Sequence, residues 1–328
     1  MKPFEKRSST TENTGKKSGA SNNQNSTTKR TDTSKHFDSS ASQTKQSTNY
    51  LTGLDLHNSH STTPDRIKIR RFHEKMKKGG VFESRVELAD RRKFFDPHYV
   101  AEHASFIYEH CLNTEHSSLP SPTYLAQQTD INASMREILI DWLIEVHLKF
   151  KLLPETLYLT VNLIDRYLER RNILRNKLQL VGVTAMLIAS KYEEIYPPIV
   201  TDFVYITDNA YDKGEILEME ESMLKHLEFS IHFTSPYRFL ERFFYLKGSN
   251  ERERFAAQFL VEACLIHYPM LKYNSSVLAA GALYLASKLS SSPEPWSREL
   301  AQVTHLQEAS LRQCAKEMYS GVLLRVMD

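Results

Sequence analysis

The sequence predicts an all-α protein built from two tandem five-helix units, and three observations carry that prediction. First, Asn176 to Glu194 (NKLQLVGVTAMLIASKYEE) offers apolar or small residues on almost every face, and such a helix must be enclosed by other helices. Second, the stretch recurs. Ser276 to Ser291 (SVLAAGALYLASKLSS) repeats it, and aligning Ala189-Ser190-Lys191 on Ala286-Ser287-Lys288 also carries Trp142-Leu143 onto Phe239-Leu240. Third, no window of useful length alternates in the way a half-buried strand does.

Each copy of the repeated stretch reads as the central rod of a bundle. In the first, Gly182, Ala185 and Ala189 leave one side narrow enough for a neighbour to approach closely. The rod closes with Lys191, Glu193 and Glu194, followed by the helix-stopping Pro197 and Pro198. Only the first copy follows its lysine with two glutamates. A purely structural repeat supplies no reason for that asymmetry, which directs the search for function to the end of the first rod.

The remaining helices follow in order. Tyr99, Val100, Ala104, Ile107, Tyr108 and Cys111 recur at helical spacing before Pro120 and Pro122 break the chain. Asp130 or Asn132 can cap the next helix, whose inward stripe is Leu139, Trp142, Leu143, Val146 and Phe150. Met135 and Ile138 lie partly off that stripe, and Arg136 and Asp141, five apart, are candidates for an intrahelical bridge. A helix after Pro154, the central rod, a short helix from about Thr201 and the segment YDKGEILEMEESMLKHLEF complete the first unit. The second opens at Pro236 with YRFLERFFYL and continues through ERFAAQFLVEACLIHY, the second rod, SRELAQV and LQEASLRQCAKEMYSGVLL.

At 328 residues and 41% hydrophobic content the chain has enough material for two ordinary domains and a tail. Residues 1 to about 65 are dominated by Ser, Thr, Asn, Gln and Lys and are predicted to be disordered, having too little apolar surface to offset the entropy of ordering. A basic stretch from Arg66 to Lys93 suits a nuclear import signal or a solvated linker equally. The predicted organisation is a tail and linker over 1–93, an N-terminal helix and first unit over 94–234, and a second unit over 235–328.

Net charge is +2, which gives no electrostatic case for nucleic acid as the principal partner. No run of eighteen apolar residues predicts a membrane-spanning helix, and the opening residues MKPFEKRSSTTENTGKK lack the apolar core of a secretory signal. Cys111, Cys264 and Cys314 are far apart without ligand spacing, so reduced thiols in the nucleus or cytoplasm are expected, with no metal site. There is no glycine-rich phosphate loop, nucleophile elbow or zinc-binding helix, and the 13 histidines are scattered. These absences favour a binding protein over an enzyme, with no cofactor.

The segments MREILIDWLIEVHLKF, ETLYLTVNLIDRYL, LQLVGVTAMLIASKYEEIYPP and DFVYITDNAY resemble the cyclin box of the A and B mitotic cyclins, and Ser235-Pro236 with the second rod resembles their second box. Asp130-Ile131-Asn132, Glu145-Val146-His147 and Lys149-Phe150 are most similar to the B type. The resemblance covers roughly Asp96 to the C-terminus. It implies a regulatory subunit that binds a cyclin-dependent kinase, holds its regulatory helix inward and thereby completes its active site at the G2/M transition.

On the matching positions, Lys191 and Glu220 would meet the kinase, beside apolar Ile107, Tyr192, Leu224, Phe229 and Ile231, while His110 stands where tyrosine is common. Leu224 suits ordinary core equally well. The family's substrate-docking patch matches Met135, Ile138, Leu139 and Trp142, completed by Leu178 and Gln179, with Glu145 and Arg175 at the rim. Such a patch accepts peptides carrying a basic residue and a leucine. Glu137 departs from the family's alanine and adds acid beside the groove. For Leu139 and Trp142 the residues alone favour core packing. The single Arg-x-x-Leu before the fold, Arg85 to Leu88, is the candidate destruction signal, although Lys93 replaces the asparagine usual at its end. The alternative class is a cyclin-fold scaffold or transcription-associated binder without kinase activation.

Overall fold

The computed structural model describes residues 90–93, 96 and 98–324. The Ser/Thr/Asn-rich tail, most of the basic stretch and Arg85 to Leu88 lie outside the described residues.

Among the described residues the fold is all α. An N-terminal helix, α1 (Ala104–Thr114), precedes five helices: α2 (Ala133–Phe150), α3 (Pro154–Arg170), α4 (Leu178–Glu193), α5 (Val200–Ile206) and α6 (Lys213–His226). A second set of five follows: α7 (Pro236–Lys247), α8 (Glu251–Ile266), α9 (Ser275–Leu289), α10 (Arg298–Thr304) and α11 (Glu308–Glu317). The starts obey capping chemistry. Of the two candidate caps for α2 it is Asn132 that serves, its Oδ1 accepting from Met135 N at 3.0 Å. Asp212 and Glu215 form a reciprocal capping box on α6. Ser235 caps α7 ahead of Pro236, and that helix ends at Gly248, whose φ of 70° is the left-handed stop glycine adopts without strain.

The two rods behave as their composition requires. On α4, Leu178 and every residue from Leu180 to Ser190 are buried; on α9, Ala279 to Ser287 are buried. Each rod centres its own hydrophobic cluster. The narrow side of α4 is filled by α2: a Cβ placed on Gly182 would meet Leu139 Cδ1 at 2.8 Å. In the second unit a Cβ on Gly281 would meet Cys314 Sγ of α11 at 3.0 Å. Cys264 and Cys314 are buried and Cys111 half-buried, and all three are free thiols.

The expected Arg136–Asp141 bridge is not formed. Five residues place Asp141 about 140° around the helix from Arg136, and Asp141 is exposed whereas Arg136 is completely buried. Arg136 instead makes a two-pronged pair with Asp165 of α3, Nε to Oδ1 at 2.6 Å and Nη2 to Oδ2 at 2.7 Å. Its third nitrogen donates to the carbonyls of Leu265 and Ile266, at 3.0 and 3.2 Å, where α8 ends. Tyr124 Oη donates to Asp165 at 2.7 Å. Burial alone lowers the guanidinium's pKa, but Asp165 beside it reverses the shift and holds it above the ordinary value. One arginine therefore joins α2, α3 and the second unit, the kind of buried pair that is costly to break.

A second link runs from α1. Glu115, buried just beyond that helix, accepts from Ser276 N at 2.9 Å and Ser276 Oγ at 2.8 Å, so it satisfies the start of α9 from a distance. Tyr108 of α1 donates to the Thr304 carbonyl at 2.8 Å and packs edge-on to Phe239 and Phe243.

Candidate functional site

The end of the first rod is an exposed face. Lys191 Nζ donates to both carboxylate oxygens of Glu220, at 2.6 and 2.9 Å, so the two charges expected at a partner surface already pair with each other across α4 and α6. The lysine side chain is 47% exposed and the glutamate 14%, leaving the cation as the accessible half. Tyr192 is exposed beside it, and Phe229 stands 68% exposed beyond the end of α6. Leu224 and Ile231 are half-buried and pack against the first core, so they support this face more than they present it. Ile107 is exposed on α1 and lines a cavity of about 340 Å³ with Lys93, Tyr99, Tyr108, Arg238 and Arg242.

Three exposed apolar residues at this rod end were not singled out by their sequence. Ile195, Tyr196 and Ile199, 86%, 92% and 66% exposed, follow the rod directly. Apolar residues flanking two prolines just beyond a charged helix end, with no helical partners to bury against, were the available signal. Glu194 receives a structural explanation instead: it accepts from Leu153 N at 2.7 Å and Thr156 Oγ1 at 2.6 Å, capping α3. That accounts for part of the asymmetry between the rods without invoking a partner. Glu193 is half-buried, and its pKa is raised by burial and by the nearby Glu155 and Glu194.

The docking residues divide into floor and surface. Leu139 and Leu178 are buried in the first core. Ile138 is 55% exposed, while Met135, Trp142 and Gln179 are half-buried, so the accessible apolar strip runs along α2 through Met135, Ile138 and Trp142. Glu145 is exposed on the same helix. Arg175 does not present a free cation: its backbone N and side-chain Nε donate to Asp130 at 2.8 and 2.7 Å, tying the approach to α4 to the approach to α2. The rim is accordingly acidic. Glu137 lies 4.0 Å from His267 Nδ1 of the second unit.

Two stacked five-helix bundles, each around an apolar rod, with an ion pair at the rod end and an apolar strip on the first long helix, define a helical binding module. Residues 106–232 match the family described as cyclin, N-terminal domain, and residues 234–325 match cyclin, C-terminal domain. G2/mitotic-specific cyclin-1 of Medicago sativa subsp. varia is 46% identical over 223 residues, which are 68% of this chain and 52% of that protein. Cyclin-B2-2 of Oryza sativa subsp. indica is 45% identical over 219 residues, 67% of this chain and 52% of that protein. G2/mitotic-specific cyclin-2 of Medicago sativa is 42% identical over 219 residues, 67% of each. The match thus spans about half the length of the first two relatives. A viral cyclin from herpesvirus saimiri shares the fold, with a TM-score of 0.59 at 21% identity over 67% of this chain and 99% of that one. The chain belongs to the cyclin family, in its G2/mitotic B-type branch.

Proposed function

We propose that this chain is a regulatory subunit that binds a cyclin-dependent protein kinase and activates it allosterically at the G2/M transition. The observation that carries the proposal is the Lys191–Glu220 pair at 2.6 Å, with exposed Tyr192, Ile195 and Tyr196 following Lys191 in the chain and exposed Phe229 following α6. A charged pair on a face that also carries exposed apolar side chains suits an interface whose centre loses water on binding. Both groups can exchange their mutual bonds for bonds to a partner backbone or side chain. The chain supplies surface and no catalytic group; the chemistry would belong to the kinase. A nuclear and cytoplasmic location, with the basic stretch as an import signal, belongs to the same proposal.

The strip of Met135, Ile138 and Trp142, with Glu145 at its rim and Arg175 neutralised by Asp130, supports a second role in docking substrate or inhibitor peptides that carry a basic residue and a leucine. Histone-directed activity of a purified mitotic cyclin-dependent kinase, measured with and without the chain, tests the first role. Stimulation by the wild type, lost in Lys191→Ala with Glu220→Ala while the variant remains folded, is the expected result. A wild type that neither binds nor stimulates several such kinases moves the function to a cyclin-fold scaffold or transcription-associated binder.

A further inference from the structure

Asn162, Arg166 and Arg170 lie four residues apart on α3 and therefore on one helix face. Asn162 and Arg166 are buried, and their polar ends are bonded in a relay. Asn162 Nδ2 donates to the Ser118 carbonyl at 2.7 Å, Arg166 Nη1 donates to Asn162 Oδ1 at 3.3 Å, and Arg166 Nη2 donates to the Ser230 carbonyl at 2.8 Å. One turn further, Arg170 Nη1 donates to the His226 carbonyl at 2.6 Å.

The two arginines thus grip the backbone on either side of Leu227 to Phe229. Within that span Glu228 and Phe229 adopt φ of 54° and 56°, the left-handed region, with no glycine to make it easy. Consecutive side-chain-bearing residues hold such angles only when their surroundings fix them. The turn closes with Phe229 N donating to Leu224 O and Ser230 N to Leu227 O, both at 2.9 Å, and it holds the Phe229 ring out to solvent.

We infer that Asn162, Arg166 and Arg170 are positioning residues that hold the Glu228–Phe229 turn in its left-handed form and so aim Phe229 at the partner, in register with the segment that follows α1. The inference rests on the kinase-binding reading of that face. Releasing the His226 or Ser230 carbonyl lets the turn relax to the ordinary helical or extended regions, and the ring leaves the face. The row acts through Phe229 and touches no partner itself.

A double-mutant cycle on the full chain tests this, with affinity for a purified mitotic cyclin-dependent kinase as the readout. Arg170 is exposed, which makes Arg170→Met safe for folding, and Phe229→Ala removes only an exposed ring. Each single change is expected to weaken binding about fivefold or more, and the double variant to bind within twofold of Phe229→Ala alone. Losses that multiply, or an Arg170→Met chain within twofold of wild type, overturn the inference while leaving kinase binding intact. Hydrogen exchange on the free chain reads the clamp without a kinase. Amides of Phe229 and Ser230 should exchange at least tenfold faster in Arg170→Met while those of Leu163 to Leu168 stay unchanged; no change at Phe229 and Ser230 overturns the clamp itself. A wild type that binds no such kinase overturns the kinase reading and the aiming role with it, whereas the exchange result still decides whether the clamp exists.

Discussion

Lys191 and Glu220, 29 residues apart in sequence, meet at 2.6 Å at the edge of the first bundle, so the free protein holds its principal charges paired with each other. A half-exposed pair of this kind contributes about 0–1 kcal/mol to folding. Lys191→Ala should therefore shift the urea midpoint little. Its effect on kinase affinity should be about 2–5 kcal/mol if the pair becomes desolvated at an interface centre. Titration calorimetry beside urea denaturation checks both; equal small effects would remove Lys191 from the interface.

Glu194 separates folding from binding in the opposite sense. Its two bonds to the start of α3 predict that Glu194→Ala costs about 1 kcal/mol of stability, as loss of a helix cap does. Kinase affinity should change less than in Lys191→Ala, and a larger loss would return Glu194 to the partner surface.

Arg136 and Asp141 should differ sharply although they share a helix. Arg136→Ala leaves Asp165 buried without its cation and is expected to cost about 3–5 kcal/mol, whereas Asp141→Ala should stay within about 0.5 kcal/mol. Thermal melts of the two variants decide it; comparable losses would mean that the Asp165 pair is not the junction described above.

Glu115 predicts a pH dependence. Burial raises its carboxyl above the ordinary glutamate range, although the bonds from Ser276 pull the other way. A carboxyl raised in the folded state binds its proton more tightly there than in the unfolded chain. Its contribution is fully present below the unfolded pKa and is lost as pH rises through the folded one. Glu115→Gln abolishes that titration, so its stability relative to wild type should improve as pH rises from the ordinary glutamate pKa of about 4.3 toward neutrality. Paired urea titrations across that window measure the trend, and a flat or opposite difference contradicts it.

On the docking strip, Ile138→Ser should leave the melting temperature nearly unchanged because the side chain is 55% exposed, while weakening peptides with a basic residue and a leucine. Fluorescence anisotropy with a labelled peptide reads the affinity. Unchanged affinity would remove Ile138 from the docking surface.

The sequence by itself determined the all-α class, the two rods, the eight helices that repeat around them and the family, because those follow from periodicity, capping residues and dense local motifs that each act within a few residues. It also placed Lys191, Tyr192, Phe229 and Ile138 on helix ends and faces where they are exposed. What only the tertiary structure decided is pairing across long separations. Arg136 joins Asp165 and the carbonyls of α8 in place of Asp141, Arg175 is held by Asp130, and Arg166 reaches Ser230 across 64 residues. Helical spacing gives the direction in which a side chain leaves its own helix, and the packing of helices distant in sequence decides what it meets there.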